Sequence, residues 1–281
     1  MWLSMEECGM WSAPYRDLTN RNLGLLNEDE QDKLRNACVA VCGLGGIGGP
    51  IAEMLCRAGV GNFKLLDHGR FEPSNLNRQV FCFTDTDGRL KTEVTEAFLH
   101  RINPDVITTC YENVDARNVD DVVAGTDAVA LSIDSLRPIL LVSRAARTKG
   151  IPLVEGWAMA FGNVRVYSRE TPSVEEVYGF PTAERPVSAI TDDEANQLAF
   201  DAVMKLRDID GLADYYPDSA IQRFHNKGEG TTFAPMVWMT CAMMALEVVK
   251  AMLNWGTLAL APGMAVYDGL EHRVRTVRHH E

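Results

Sequence analysis

The segment "CVAVCGLGGIG" (Cys38 to Gly48) constrains this chain more than any other. A β-branched apolar run, residues 38–42, enters the spacing Gly43-x-Gly45-x-x-Gly48, and an apolar period at Ile51, Met54, Leu55 and Ala58 follows, as a helix requires. A strand feeding a helix through a glycine turn aims backbone N–H groups and a helix N-terminus at one point, which favours a phosphate. "AGVGNFKLLD" then turns through Gly59 and Gly61 into a second strand, Phe63–Leu66, and Asp67 follows 19 residues beyond Gly48. An acid there accepts from ribose hydroxyls. The loop therefore predicts a nucleotide site and leaves the nucleotide open.

The pattern beyond it alternates. A helix is expected over Lys91–Ile102, with Val94, Phe98, Leu99 and Ile102 on one face and Asn103-Pro104 as its stop. Strands are expected at Ile107–Tyr111, Ala128–Ile133 and Pro152–Val154, with a helical run at Arg137–Lys149. Alternation with short connections predicts an α/β fold, a Rossmann-like, doubly wound, mostly parallel sheet. After Trp157 the pattern changes: "NVRVYS" (Asn163–Ser168) alternates as an antiparallel strand does. A polar stretch, residues 173–230, is expected to hold one helix near Asp192–Arg207 and otherwise turns. A long helix, Ala234–Leu253, and a strand pair in "GMAVYDGLEHRVRTVRH" close the chain and extend the same sheet antiparallel. We expect a single domain over 1–281, with a helical arm at 1–35, a nucleotide-binding half at 36–157, and a substrate and crossover part at 158–281.

Charge and cysteine content narrow the class. A net charge of −12 disfavours non-specific binding to nucleic acid or an anionic membrane. The N-terminus lacks a basic stretch followed by an apolar core, and the nearly uncharged run Phe233–Leu246 is too short to span a bilayer, so a cytoplasmic protein without membrane contact is the expectation. The seven cysteines (8, 38, 42, 56, 82, 110, 241) include no CxxC pair, so neither a disulfide framework nor a zinc site is expected. Cys38, Cys42 and Cys56 read as small buried hydrophobes.

"EPSNLNRQVF" (Glu72–Phe81) is a different signal. It puts Arg78 shortly behind the ribose acid, and Lys91 opens the next helix. Two cations there suit a triphosphate better than a nicotinamide, because phosphoryl and nucleotidyl transfer needs positive charge around the oxygens that become more negative. Asp134, at the end of "DAVALSID", lies at the carboxyl edge of the sheet and has two readings: a Mg²⁺ ligand, or the N-cap of the next helix.

"GLGGIG", Asp67, "SNLNRQ", Lys91 and Asp134, in that order, resemble the ThiF/MoeB/HesA superfamily, the ubiquitin-activating-enzyme-like adenylyltransferases. The likeness extends through "NRNLGLLNEDEQDKLRNACVAVCG", "RINPDV", "GIPLVEG", "APMVWMTCAMMALEVVKAML" and "YDG", covering most of residues 20–270, with 170–228 its weak part. It implies that Gly43, Gly45, Gly46 and Gly48 line the phosphates of ATP and that Asp67 holds the ribose. It also implies that Ser74, Asn75, Asn77, Arg78, Gln79 and Lys91 border the nucleotide, and that Asp134, with Ser135 beside it, binds Mg²⁺. Arg21, in "TNRN", matches an arginine that such proteins insert into the partner subunit's site. Arg21, Arg78, Lys91 and Asp134 on one chain imply a catalytically complete homodimer. A small ubiquitin-like or sulfur-carrier protein ending in Gly-Gly is the implied partner, and a small acid or modified peptide stays open.

The chain also departs from that pattern. It lacks the two zinc-binding CxxC pairs, and the stretch from Tyr111 to Thr240 has no cysteine for a thioester; Cys241 reads as a core residue of its apolar helix. "SIDSLRP" carries Ser135 where Asn is frequent and resembles the tRNA threonylcarbamoyladenosine dehydratases, the one reading that brings in a nucleic acid. The expected activity is ATP-dependent adenylation of a carboxylate with release of pyrophosphate. The alternatives are a dehydratase-like cyclase, an NAD-dependent oxidoreductase, and a non-catalytic nucleotide-binding protein.

Overall fold

The computed structural model describes residues 11–207, 217–227 and 230–278; Cys8 lies outside them. Two capped helices lead in. In α1 (Ala13–Thr19) the Ser12 hydroxyl accepts from Tyr15 N, and in α2 (Glu28–Asn36) Asn27 and Glu30 form a reciprocal capping box. There follow β1 (Cys38–Cys42), α3 (Gly48–Arg57), β2 (Asn62–Leu66), α4 (Lys91–Ile102), β3 (Ile107–Tyr111), α5 (Val119–Val123), β4 (Ala128–Leu131), α6 (Leu136–Lys149) and β5 (Leu153–Glu155). Then come β6 (Gly162–Tyr167), α7 (Val174–Tyr178), α8 (Asp192–Arg207), α9 (Asp218–Lys227), α10 (Ala234–Leu253), β7 (Met264–Asp268) and β8 (Arg273–Val277).

The strands form one eight-stranded sheet in the order β3-β2-β1-β4-β5-β6-β7-β8. Pairings from β3 through β5 are parallel, and those from β5 to β8 are antiparallel. Strand order reverses between β1 and β4, the switch point outside which ligands bind in open α/β sheets. Both the doubly wound sheet and its antiparallel extension match the sequence-based expectation.

Both faces of the sheet are covered, so the central strands are apolar throughout rather than alternating. Val39 and Val41 of β1 pack with Ile51 and Leu55 of α3 and with Val237, Met244 and Val248 of α10. Ala40 and Cys42 face the other way, toward Ile139, Leu140 and Val142 of α6 and Val177 of α7. Helix α10 is long and apolar enough to cross a membrane by length and composition alone, because it continues beyond Leu246 through Glu247 and Lys250. Its packing is that of a core helix: Val237, Thr240, Cys241, Met244, Ala245, Val248 and Leu253 are buried where α10 lies against β6, α3 and β4.

Two expectations change. The segment from residue 173 carries three helices, not one: α7 stands on a capping box between Ser173 and Glu176, and α9 lies within the polar stretch. Strand β4 ends at Leu131, two residues early, because Ser132 turns to bond the glycine loop.

A buried polar cluster ties α7 to the sheet. Glu155 of β5 accepts from Tyr178 OH at 2.8 Å and Tyr167 OH at 3.0 Å, with the Arg165 guanidinium 3.8 Å away across the strand pair. Burial raises the Glu155 pKa, opposed by Arg165 and the tyrosine hydroxyls. Trp157 Nε1 donates to Tyr178 OH at 2.7 Å, fixing the start of the loop after β5.

The facing of α10 is testable. Met244 is fully buried and Leu246 is 54% exposed. Met244→Ala should cost about 2–5 kcal/mol in denaturant unfolding, and Leu246→Ala less than about 0.5 kcal/mol. Equal costs would contradict this packing.

Candidate nucleotide site

The site begins where β1 ends. Gly43 takes φ +93°, and a Cβ there would lie 2.4 Å from Ser132 O; one on Gly48 would lie 1.7 Å from Gly43 O. No side chain fits either position, so the turn closes directly onto the end of β4. Gly43 N donates to Leu66 O at 2.7 Å, Ser132 N to Cys42 O at 2.8 Å, and Ser132 Oγ lies 2.8 Å from Gly43 O. Helix α3 starts at Gly48 with no side-chain cap; Gly49 N donates to Gly45 O and Ile51 N to Ile47 O, both at 3.2 Å, and Pro50 carries no N–H, so Gly48 N is the first-turn donor without a backbone acceptor.

Asp67 follows β2 directly. Its Oδ2 accepts from Leu44 N and its Oδ1 from Gly69 N, both at 2.7 Å. An ionised carboxylate has about four lone-pair sites, so capacity remains for ribose hydroxyls. Lys91, the first residue of α4, returns to the same place. A Cβ built on Gly69 would lie 3.0 Å from Asp67 Oδ1 and 3.2 Å from Lys91 Nζ, so the carboxylate and the ammonium flank Gly69.

The segment after a short 3₁₀ turn, Pro73–Asn75, forms the second wall. A Cβ on Gly46 would touch Arg78 Cγ at 3.0 Å, and one on Gly45 would meet Gln79 Nε2 at 3.7 Å. The stem of Arg78 thus lies over the glycine loop, and its partial burial lowers its pKa from an ordinary arginine's without discharging it. Arg78 Nη1 donates to Asn77 Oδ1 at 2.8 Å and to Ser74 O at 3.1 Å. Gln79 is 6% exposed, and its Oε1 is buried with no partner. Asn75 is buried and uses its amide within the turn, bonding Glu72 N and Ser74 Oγ.

Asp134 is exposed in the loop between β4 and α6, with Ser135 Oγ 3.5 Å from its Oδ1. The N-cap reading for Asp134 fails, because Ser135 occupies the cap position and makes no side-chain cap bond. Among the described residues no group of three or more His, Cys, Asp and Glu could hold a metal. A single exposed carboxylate nevertheless suits Mg²⁺, which keeps most of its water and shares phosphate oxygens.

Arg21 is the expected site residue that the fold does not bring in. Its neighbour Asn22 donates to Ala58 O at 3.2 Å, at the C-terminal end of α3. The glycine loop is at the other end, and α3 has ten residues, so Arg21 is roughly 15 Å away. The fold adds three residues that sequence reasoning missed: Ser132, Thr232, whose carbonyl accepts from Asn77 Nδ2 at 3.1 Å, and Trp238, whose Nε1 donates to Arg78 O at 2.9 Å. Ser132 had a signal, its place at a strand end opposite the glycines. Two open grooves of about 420 and 400 Å³ lie along α4 beside Phe83, Phe98 and Arg101 and include none of these residues.

The described cysteines are not activated. Cys241 is buried under the loop, its Sγ 3.5 Å from Gly46 O, and burial pushes its pKa up to about 12. Burial likewise pushes Cys42 and Cys56 to about 12, and Cys110, the exposed one, is raised to about 11 by desolvation and Glu96.

One family model, described as the ThiF family, matches residues 19–281, the span that holds the glycine turn, Asp67, Arg78 and Lys91. The chain belongs to the ThiF family. Its similar proteins include the Adenylyltransferase and sulfurtransferase MOCS3 of Drosophila virilis, 29% identical over 252 residues, which are 88% of this chain and 47% of that protein. The SAMP-activating enzyme E1 of Haloferax volcanii is 40% identical over 127 residues, 45% of this chain and 47% of the enzyme. The chain spans about half the length of these curated relatives. Among solved structures PaaA has TM-score 0.69 at 20% identity, covering 96% of this chain and 75% of PaaA. E. coli MccB solved with ATP has TM-score 0.64 at 21% identity, covering 89% of this chain and 65% of MccB. At these identities the two structures establish a shared fold for this ThiF-family chain.

Two outcomes follow from the geometry. Gly48→Ala should abolish ATP binding measured by calorimetry, because its Cβ overlaps the Gly43 carbonyl; wild-type affinity would contradict the loop. In a Cys8→Ser protein, the remaining thiols should react with iodoacetamide more slowly than free cysteine (pKa about 8.5) near neutral pH. A faster thiol would contradict the raised pKa of these cysteines.

Proposed function

We propose that this ThiF-family chain is an ATP-dependent adenylyltransferase that activates a carboxylate as an acyl-adenylate and releases pyrophosphate. The observation that carries the reading is Arg78 lying over Gly46 of the glycine loop, with Asp67 bonded to that loop at Leu44 N and Lys91 beside Asp67 at Gly69. A hydride-transfer site has no use for that much positive charge around the phosphates. Two of the relatives are an adenylyltransferase and sulfurtransferase and a SAMP-activating enzyme, which supports the same class.

In the reaction a carboxylate oxygen attacks the α-phosphorus and the bond to the bridging oxygen of pyrophosphate breaks. With Gly43 N and Leu44 N already bonded to Leu66 O and Asp67, the loop N–H groups from Gly45 to Gly48 bind the phosphates, Asp67 the ribose, and Ser74, Asn77 and Gln79 border them. Arg78 and Lys91 stabilise charge on the phosphate oxygens as it shifts. Asp134, beside Ser135, is the residue that would hold Mg²⁺, which when bound neutralises phosphate charge. A separate nucleophile (an amine, thiol, persulfide or internal amide) then displaces AMP; among the described residues the cysteines are buried or raised in pKa.

The carboxylate is proposed to be the C-terminal glycine of a small ubiquitin-like or sulfur-carrier protein, or a peptide; one solved structure of E. coli MccB holds that protein together with MccA. We propose one adenylation unit over residues 1–281 that works as a cytoplasmic homodimer, with the arm at 1–35 delivering Arg21 to the partner's site. The separation of Arg21 from its own loop supports that arrangement.

ATP–pyrophosphate exchange with peptides ending in Gly-Gly is the test. Exchange should require the carboxylate and fall about 10²–10³-fold in Arg78→Ala and in Asp134→Ala. No exchange with any carboxylate, despite ATP binding, would overturn the reading. Mixing Arg21→Ala with Arg78→Ala should restore about a quarter of wild-type exchange, since half the dimers are hybrids with one intact site. No recovery on mixing would remove the action in trans.

A further inference from the structure

Helix α10 reaches the nucleotide wall from behind. Trp238, in its second turn, donates its indole N–H to Arg78 O at 2.9 Å. At the start of the helix Thr232 O accepts from Asn77 Nδ2 at 3.1 Å, and the other end of that amide, Oδ1, accepts from Arg78 Nη1 at 2.8 Å. One turn further on, Cys241 Sγ approaches Gly46 O at 3.5 Å. Two hydrogen bonds from one helix end therefore hold the short stretch that carries the guanidinium, one on its main chain and one through its neighbour. Trp238 is 40% exposed, and its side chain is not needed to fill the core.

We propose that Trp238 is a positioning residue for Arg78: its indole N–H fixes the main chain at residue 78 so that the guanidinium stays above the Gly45–Gly46 turn. The proposal rests on the adenylation reading for its kinetic consequence but not for its structural one. A loop residue with a long side chain has many rotamers, and locking its backbone selects those that project over the turn. Trp238 itself touches neither substrate nor the reacting atoms. Its ring contributes the donor, not bulk, so the donor can be separated from the aromatic surface by substitution.

The test compares Trp238→Phe, which keeps a ring and loses the donor, with Trp238→Gln, whose Nε2 stands the same number of bonds from Cα as the indole nitrogen. Hydrogen–deuterium exchange on the full chain should be faster over residues 72–81 in Trp238→Phe and return toward wild type in Trp238→Gln. In pyrophosphate exchange, kcat should fall roughly five- to ten-fold in Trp238→Phe, the effect of one lost hydrogen bond, with KM for ATP within about two-fold, and the Gln variant should recover. Unchanged deuteration in the Phe variant overturns the proposal. So does a rise in KM with kcat intact, or loss of kcat that Gln does not rescue. If Phe fails to fold, the Gln variant alone decides: wild-type deuteration over 72–81 supports the role of the donor, and faster deuteration refutes it. Absence of pyrophosphate exchange in the wild type would sink the adenylation reading, while the deuteration comparison would still decide the role of Trp238.

Discussion

The site depends on one close approach, the contact of the glycine turn with the end of β4. Gly48 lies so near Gly43 O and Ser132 Oγ that no Cβ is tolerated, and Ser132 completes the junction by bonding the turn. This contact sets the start of α3 at Gly48. It also brings the chain after β4, with Asp134, to the same edge of the sheet as Asp67. Because β1 sits between β2 and β4, residues far apart in sequence arrive at one crevice.

Asp67 illustrates how scaffold and site share atoms. Its two oxygens take N–H bonds from the glycine turn and from Gly69, so the acid that would accept a ribose also braces the loop that would accept phosphates. Lys91 is held near it by the return of the chain at Gly69, where Lys91 N donates to Gly69 O at 3.0 Å. Charge at this place is balanced locally in a chain whose net charge is −12, so a polyphosphate meets cations at the loop and not over the whole surface. The buried Glu155–Arg165–Tyr178 cluster does similar work further along the sheet, tying the crossover helix α7 to β5 and β6.

Much of this is legible in the chain. The turn, the acid and the ends of α4, α8 and α10 follow from glycine spacing, period and capping, which are local properties. The five-residue α7 escapes notice although Ser173 and Glu176 announce it with a capping-box spacing, because so short a helix has almost no apolar period. Asp134 resembles a cap because it precedes an apolar helix, and only the backbone shows Ser135 in that position. Trp238 reads simply as one more apolar residue of α10; its bond to Arg78 spans 160 positions and leaves no local trace. The Glu155–Arg165 pair is equally silent, being set by the antiparallel register of β5 and β6.

The central claim is attack of a carboxylate oxygen on the α-phosphorus of ATP at this crevice. The direct measurement uses the carboxylate that supports exchange, labelled with ¹⁸O in both oxygens, in a complete turnover with a nucleophile, followed by mass spectrometry of the nucleotide product. The account predicts AMP carrying one ¹⁸O atom, left behind when the acyl carbon passes to the nucleophile. Unlabelled AMP, or ADP in place of AMP, would contradict it.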